Sequence, residues 1–481
     1  MTAPLSARLD RSLARAEARP WPWLALSALV LAMQISPLWY ATPDGTAYLS
    51  IARQVAAGGP LSRLGSAELS FPLGYPLLIS PAFLLGERPF LALSIMHWLL
   101  AVVFMLGVYA WARRLIGPPA LWVTGVVMAS VVVWALYRRT LSEAAFLSVM
   151  IWAVVAWNAL VGALAARRPR AALLAAAGAL LAALTMIREA GALFGAGVAL
   201  ALLAGLLRGE VSRRAAALPL AVVAIAALVG VAAIRPERIA AASGVFAGRV
   251  AAYADAGAAV TGPFSARLHL RVTEIGQLLM PGMFSAYGPG WVDINTLVYV
   301  PLAVIVAVGW WMLVRGTADV LVLTAPFYVA LYLAWPYFGG TRYLLPLLPL
   351  LVACLWRAYR PLRHWRRPAF ALALVAHLGV AAGYWLIDDA PRARACDRQW
   401  PAVQQLAARI ELDSGAVVAA DVSTCVTLML MLALDRPVQA ADGRHVDQSI
   451  GWIVTAEPAG DVPGFRAHAS AGGYALLRRP D

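Results

Sequence analysis

TPDGTAYLSIARQVAAGGPLSRLGSAELSFPLGYP, residues 42–76, is the first long polar break in a very apolar chain. It carries Asp44, Tyr48, Arg53, Arg63 and Glu68, and it closes on Phe71-Pro72-Leu73-Gly74-Tyr75-Pro76. The fold is decided by what flanks it. Apolar runs near twenty residues long stand before and after it, and a run of that length crosses a bilayer as a helix. The chain has 481 residues, of which 62% are hydrophobic and 13% charged, against roughly 25% charged in a soluble domain. This composition excludes an ordinary soluble enzyme and implies a polytopic membrane protein.

The formal net charge is +14, and every basic residue counted is arginine, because the chain has no lysine. On a soluble chain such a charge would raise nucleic-acid binding. Here the arginines fall in short clusters between apolar runs, the pattern that the positive-inside rule produces. The absence of lysine looks like a coding bias and weakens any argument that a given arginine was chosen over lysine for its fork-shaped chemistry.

Taken in order, Arg8, Arg11, Arg15 and Arg19 precede a span from about Trp21 to Tyr40, read as a retained first helix with a cytoplasmic N-terminus. Residues 42–76 then lie outside, and Leu77–Leu85 is too short to cross and reads as re-entrant or interfacial. Further spans are expected at about Phe90–Trp111, Ala120–Trp134 and Ala144–Leu164. Residues 171–207, interrupted by Arg188-Glu189, are long enough for two short spans meeting at an outer turn. The next runs from about Ala215 to Ile234, before a second outer loop at about 235–295. Four more follow: one ending at Arg315, one reaching Trp335, one leading to Arg357, and one at Ala369–Ile387. This makes about eleven spans, a transmembrane domain over 1–387. It places every strong arginine cluster on one side except Arg138 and Arg139, which fall outside near Glu143.

Residues 388–481 change character. Trp400–Leu412 has a helical period, and Ala416–Ala420, Trp452–Thr455 and Tyr474–Leu477 read as short strands. The expectation is a small extracytoplasmic α/β domain. Cys396 and Cys425 lie in it and could pair if it faces an oxidising compartment, while Cys354 sits in an apolar run as a packing residue. There is no P-loop, no dinucleotide-binding glycine pattern after a strand, no zinc-ligand spacing and no internal repeat.

Few ionisable residues lie at the outer ends of spans. Asp44 follows Pro43 at a helix start, so it either favours the helix macrodipole or acts as a general base near the membrane surface. Tyr48 shares its helix face and would line the same cavity or anchor at the interface. Glu68 is either a solvated loop residue or a contact for acceptor or cation. Glu143 heads a span, where ionisable groups pair or line a cavity; its structural partners would be Arg138 or Arg139. Arg188 and Arg342 each lie at an outer turn, where a guanidinium could bind phosphate bidentately. The plain alternatives are an ion pair with the neighbourhood, Glu189 included, for Arg188, and snorkelling for Arg342. His97, His269, His364, His377 and His445 are scattered without ligand spacing, so a divalent cation is open but not indicated.

The order of these features resembles the GT-C superfamily of integral-membrane glycosyltransferases, in particular the bacterial relatives of protein O-mannosyltransferases and of the lipid A aminoarabinose transferase. The resemblance rests on Asp44-Gly45-Thr46-Ala47-Tyr48, the Phe71–Pro76 turn, Leu141-Ser142-Glu143-Ala144-Ala145-Phe146, Ile187-Arg188-Glu189-Ala190-Gly191 and Thr341-Arg342-Tyr343-Leu344-Leu345-Pro346-Leu347-Leu348-Pro349. It implies inverting sugar transfer from a polyprenyl-phosphate donor on the outer face of a bacterial inner membrane, to a lipid, glycan or protein acceptor. Asp44 would be the base, Arg188 and Arg342 would lie near the donor phosphate, and Tyr48, Glu68, Glu143 and Tyr343 would line the substrate site. Two positions depart from the pattern. Gly45 stands where many relatives have a second acidic residue, and Phe71 where many have the first proline of a Pro-Pro-Leu turn. The rivals are a secondary transporter or lipid flippase, which would show paired broken repeats, and a non-catalytic partner protein bound through its C-terminal domain.

Overall fold

In hydrocarbon every backbone N–H and C=O must find an internal partner, so long apolar runs become helices. The computed structural model describes residues 5–59, 64, 72–168, 170–233, 264–280, 292–334, 341–410, 417–421, 423–436, 438–440, 450–456 and 465–479. Six helices among them are long and apolar enough to cross a membrane: Phe90–Ile116, Ser142–Ala165, Glu189–Leu207, Val298–Gly316, Thr341–Ala358 and Trp365–Ala407. A bent pair, Ala120–Ala129 and Val131–Arg138, makes a seventh if counted as one span. Other expected spans fall on shorter apolar helices, among them Pro20–Ala32 and Ala171–Ile187. The chain is a polytopic α-helical membrane protein with a small C-terminal α/β part.

Two of the expected spans are interrupted, each for a local reason. The first helix stops at Ala32, although the apolar run continues to Tyr40. Pro37 lacks an amide hydrogen and pushes Ser36 out of the helical region; Ser36 N donates instead to Ser94 Oγ at 3.0 Å. At Ser130 the backbone leaves the helix (ψ 129°), and the chain turns by 60°. The Met128 carbonyl left open there accepts from Trp134 Nε1 at 2.8 Å. The stretch expected as a second long loop contains a helix, Phe264–Leu279. Leu268, Val272, Ile275 and Leu279 recur at helical spacing within it.

Two compact units divide the chain. The first takes Met1–Gln34, His97–Tyr137 and Ser142–Tyr384. Its core is bulky and fully buried, with Trp111, Trp157, Tyr299, Phe104, Phe146 and Phe194. Asp319, 4% exposed, sits just before the Val320–Ala334 helix and accepts from the Leu321 and Val322 amides at 2.9 and 3.1 Å. Trp111 Nε1 and Asn158 Nδ2 donate to the same carboxylate, the latter at 2.5 Å, and Asn158 Oδ1 accepts from Val320 N. Three helices are thereby pinned together through one helix N-terminus.

The second unit takes Ile35–Met96, Arg138–Leu141 and Trp385–Asp481. Its sheet is ordered β2-β1-β3-β5-β4, with β1 Val417–Asp421, β2 Val438–Ala440, β3 Ile450–Ala456, β4 Arg466–Ala471 and β5 Tyr474–Arg478. β1 runs parallel to β2 and β3, and the remaining pairs are antiparallel. The three strands expected from the sequence are β1, β3 and β5; β2 and β4 and the Thr424–Leu434 helix were not expected. One sheet face buries Ala419, Ile453, Ala475 and Leu477 with Phe465 against them. The Pro43–Ala56 helix of the first polar break belongs to this unit. Ser50 Oγ and Gln54 Nε2 donate to Asp435 at 2.5 and 2.6 Å, and Arg53 pairs with it at 3.2 Å. Asp435 caps Thr424–Leu434 in the left-handed region, φ 53°, where aspartate is tolerated better than most residues. Leu77, Leu78, Leu84 and Leu85, on the short helices at 74–85, are exposed.

Cys396 and Cys425 form a disulfide, with Cα atoms 5.9 Å apart across 29 residues of sequence. For a loop of that length, cross-linking removes chain entropy worth about 3–4 kcal/mol from the unfolded state. Cys425→Ser is expected to lower the stability of the solubilised protein by up to this amount, read as a drop in the thermal midpoint. Alkylation of the unreduced, denatured wild type should label Cys354 alone.

Candidate functional site

Three of the quoted motifs meet in the first unit. Glu143 is in the first turn of Ser142–Ala165, where a carboxylate complements the helix dipole, and it is 6% exposed. Arg188 ends the Ala171–Ile187 helix with extended backbone, φ −153° and ψ 140°. The tight return after it depends on Gly191, since a Cβ there would meet the Leu184 backbone at 2.7 Å. Arg342 and Tyr343 lie on a short 3-10 segment, Thr341–Leu347.

The side chains interlock. Arg188 Nη1 pairs with Glu143 Oε1 at 2.6 Å and donates to Ser142 Oγ at 3.3 Å. Arg342 Nε approaches the same carboxylate oxygen at 3.9 Å, and its Nη2 donates to the Tyr343 hydroxyl at 3.1 Å. Both guanidiniums lie over the Tyr343 ring, at 5.6 and 4.9 Å from its centroid, a favourable cation–π arrangement. With Phe146 and Tyr328 these groups line a small cleft. Two guanidiniums face one carboxylate, so the cleft carries an excess of positive charge and favours an anion. The plain partners offered by the sequence are therefore replaced: Glu143 pairs with Arg188 and Arg342, not with Arg138 or Arg139, and Arg188 pairs with Glu143, while Glu189 is exposed.

Arg138 and Arg139 turn to Asp389 in the second unit. The Arg138 side chain is fully buried there, with its guanidinium 5.5 Å from the Tyr40 ring centroid. Asp389 was not singled out from the sequence. The signal was the Asp388-Asp389 pair just after the last expected span, opposite in charge to Arg138-Arg139.

Asp44 is half-buried in the first turn of Pro43–Ala56. Thr42, not Asp44, caps that helix, its Oγ1 accepting from Gly45 N at 3.0 Å. A Cβ at Gly45 would meet Thr42 Oγ1 at 2.6 Å and the Thr140 carbonyl at 2.9 Å. A side chain at Gly45 would therefore require Thr42 or the Thr140 backbone to shift. Tyr48 is buried edge-on against Tyr75, ring centroids 5.0 Å apart, within the first polar break and its closing turn. Glu68 lies outside the described residues. Among the described residues no group of three or more His, Cys, Asp or Glu could hold a metal ion.

No protein-family model and no curated protein matches the sequence. Solved structures do match the fold. ArnT from Cupriavidus metallidurans bound to undecaprenyl phosphate superposes with a TM-score of 0.57 at 13% identity, over 97% of this chain and 98% of that one. The Archaeoglobus fulgidus oligosaccharyltransferase in complex with Zn and sulfate gives 0.57 at 13% identity, over 90% and 67%. The same organism's oligosaccharyltransferase AglB, in complex with an inhibitory peptide and a dolichol-phosphate, gives 0.54 at 12% identity. The chain has the fold of the GT-C membrane glycosyltransferases.

Breaking a buried pair leaves an uncompensated charge, and this costs more than removing both members. Arg188→Ala is therefore expected to destabilise the protein more in the wild-type background than beside Glu143→Gln. A double-mutant cycle on unfolding should return a coupling of about 1–3 kcal/mol.

Proposed function

We propose that the chain is a membrane glycosyltransferase that moves a sugar from a polyprenyl-phosphate-linked donor to an acceptor hydroxyl, with inversion, on the outer face of a bacterial inner membrane. The observation that carries this reading is the convergence of Arg188 and Arg342 on one cleft, in a chain whose fold is shared end to end with an enzyme crystallised with undecaprenyl phosphate. As the bond from the anomeric carbon to the phosphate oxygen breaks, negative charge grows on the departing polyprenyl phosphate. Two fixed guanidiniums lower the energy of that charge and offer fork-shaped donors to phosphate oxygens. Before donor arrives, Glu143 is the counter-charge that holds them, and the Tyr343 ring lies beside both.

Asp44 is assigned as the general base. Its carboxylate takes the proton of the acceptor hydroxyl while that oxygen bonds to the anomeric carbon on the face opposite the leaving phosphate. Tyr48 and Glu68 are assigned to the substrate site without a step. The disulfide Cys396–Cys425 supports an extracytoplasmic C-terminal domain, since such bonds persist in oxidising compartments. The arginine clusters support a cytoplasmic N-terminus.

Mass spectrometry of envelope lipids, glycans and proteins from cells with and without this chain should show one sugar missing from one acceptor class. Asp44→Asn should lower transfer by about 10²- to 10⁴-fold with expression unchanged. A well-folded variant with wild-type transfer would remove the base assignment. Arg188→Ala and Arg342→Ala should each weaken competition by a polyprenyl phosphate by about 10- to 100-fold; donor affinity unchanged in both would remove the phosphate site.

A further inference from the structure

A second, separate feature of the first unit is an apolar groove of about 760 Å³ between the Ser142–Ala165, Ala171–Ile187 and Arg213–Ala233 helices. Its origin is legible in side-chain size. Gly178 lets two helices touch, since a Cβ there would meet Val222 Cγ1 at 2.6 Å. Ala175, Ala179 and Ala182 then leave a channel that no side chain of the Ala171–Ile187 helix fills. The channel ends at Arg170 and Arg214, which both line it.

These two arginines, both exposed, differ from Arg138, Arg188 and Arg342, which are held by carboxylates. Among the described residues neither guanidinium has an ion-pair or hydrogen-bond partner. Each also stands at a helix N-terminus: Arg170 is the N-cap of Ala171–Ile187, and Arg214 is the second residue of Arg213–Ala233. A cation is disfavoured there by the helix dipole, and an anion is favoured. Topology accounts for arginines at this end of the helices but not for two of them at the mouth of one groove. The groove runs from Arg170 to Ala182, about 18 Å at 1.5 Å per residue, close to the ~15 Å depth of one leaflet of a bilayer core. It therefore suits a lipid that enters from the arginine side and does not reach the other leaflet.

We propose that this groove binds one anionic phospholipid, its phosphate between Arg170 and Arg214 and its acyl chain along the alanine-lined channel. The site is independent of the sugar-transfer reading. Its ligand differs from the proposed donor in carrying a glycerol phosphodiester, and the Glu143 cluster contributes nothing to it.

The test is native mass spectrometry of the full chain, given equal amounts of phosphatidylglycerol and phosphatidylcholine in detergent. The wild type should retain one phosphatidylglycerol per chain. Arg170→Ala with Arg214→Ala should lower its occupancy at least tenfold, and Ala179→Trp, which fills the channel and keeps both charges, should do the same. Phosphatidylglycerol should raise the thermal midpoint of the wild type, and the double variant should start from the same lipid-free midpoint and gain nothing. Equal retention of phosphatidylcholine, or unchanged phosphatidylglycerol occupancy in the double variant, overturns the proposal. Displacement of phosphatidylglycerol by equimolar undecaprenyl phosphate would reassign the groove to the donor's tail. A dimer lost in Ala179→Trp, with lipid binding intact, would reassign it to a second copy of the chain.

Discussion

An ionised side chain taken out of water costs several kcal/mol unless another group meets it, and the helical unit is organised by that constraint. Its buried carboxylates come in closed sets. Glu143 is met by Arg188 and Arg342, and Asp319 by Trp111, Asn158 and two backbone amides. Arg271 pairs with Glu274, which also accepts from Tyr332. Glu17 is met by Arg367 at 2.7 Å and by Trp122 at 2.8 Å. Each set draws on two or more helices distant in sequence, or on a helix and a short 3-10 segment. Apolar packing alone does not choose among helix neighbours when the surrounding lipid is as apolar as the helices. The polar sets do, because each has one arrangement that satisfies all members.

The second unit solves a different problem. The Pro43–Ala56 helix is fourteen residues long and not strongly apolar, too short to be stable alone in water. It is held by Asp435, which collects Ser50, Arg53 and Gln54 from successive turns. Trp39, stacked on Phe90 and edge-on to Trp400, adds an aromatic seam in the same unit. The segment bearing Asp44 is thus folded with the C-terminal sheet, and its geometry depends on residues almost four hundred positions away in the chain. No local pattern in residues 42–76 shows this.

That dependence separates what was legible in the sequence from what was not. Helix positions followed from apolar run length, because lipid leaves the backbone no other choice. Their interruptions at Pro37 and Ser130 were harder: a serine in an apolar run carries no strong breaking signal, and a break is tolerated only where a partner such as Trp134 waits. Glu143, Arg188 and Arg342 were legible as candidates because charge is scarce at the ends of the apolar runs they flank. Their partners were not, since pairing is a tertiary property: Arg138 is five residues from Glu143 yet pairs with Asp389. β2 and β4 were missed for a related reason. Val438–Ala440 is three residues long, and the alternation in Arg466–Ala471 rests on alanine alone, which is a weak apolar signal.

A chain with arginine as its only strong cation uses one residue type for several tasks, so type says little and the partner says most. The arginines that follow apolar runs fit the positive-inside pattern. Arg138 is sealed against Asp389 and Tyr40, a fixed structural pair with no side-chain surface left. Arg188 and Arg342 are intermediate: both contact a carboxylate, yet about a fifth and a third of their side-chain surface stays accessible. That combination is what an exchangeable anion site requires. A guanidinium with no counter-charge would make the empty site costly, and one fully enclosed would have no room for phosphate. On the proposed reading Glu143 serves the first need and the open cleft the second, which gives a buried carboxylate a place beside a phosphate site.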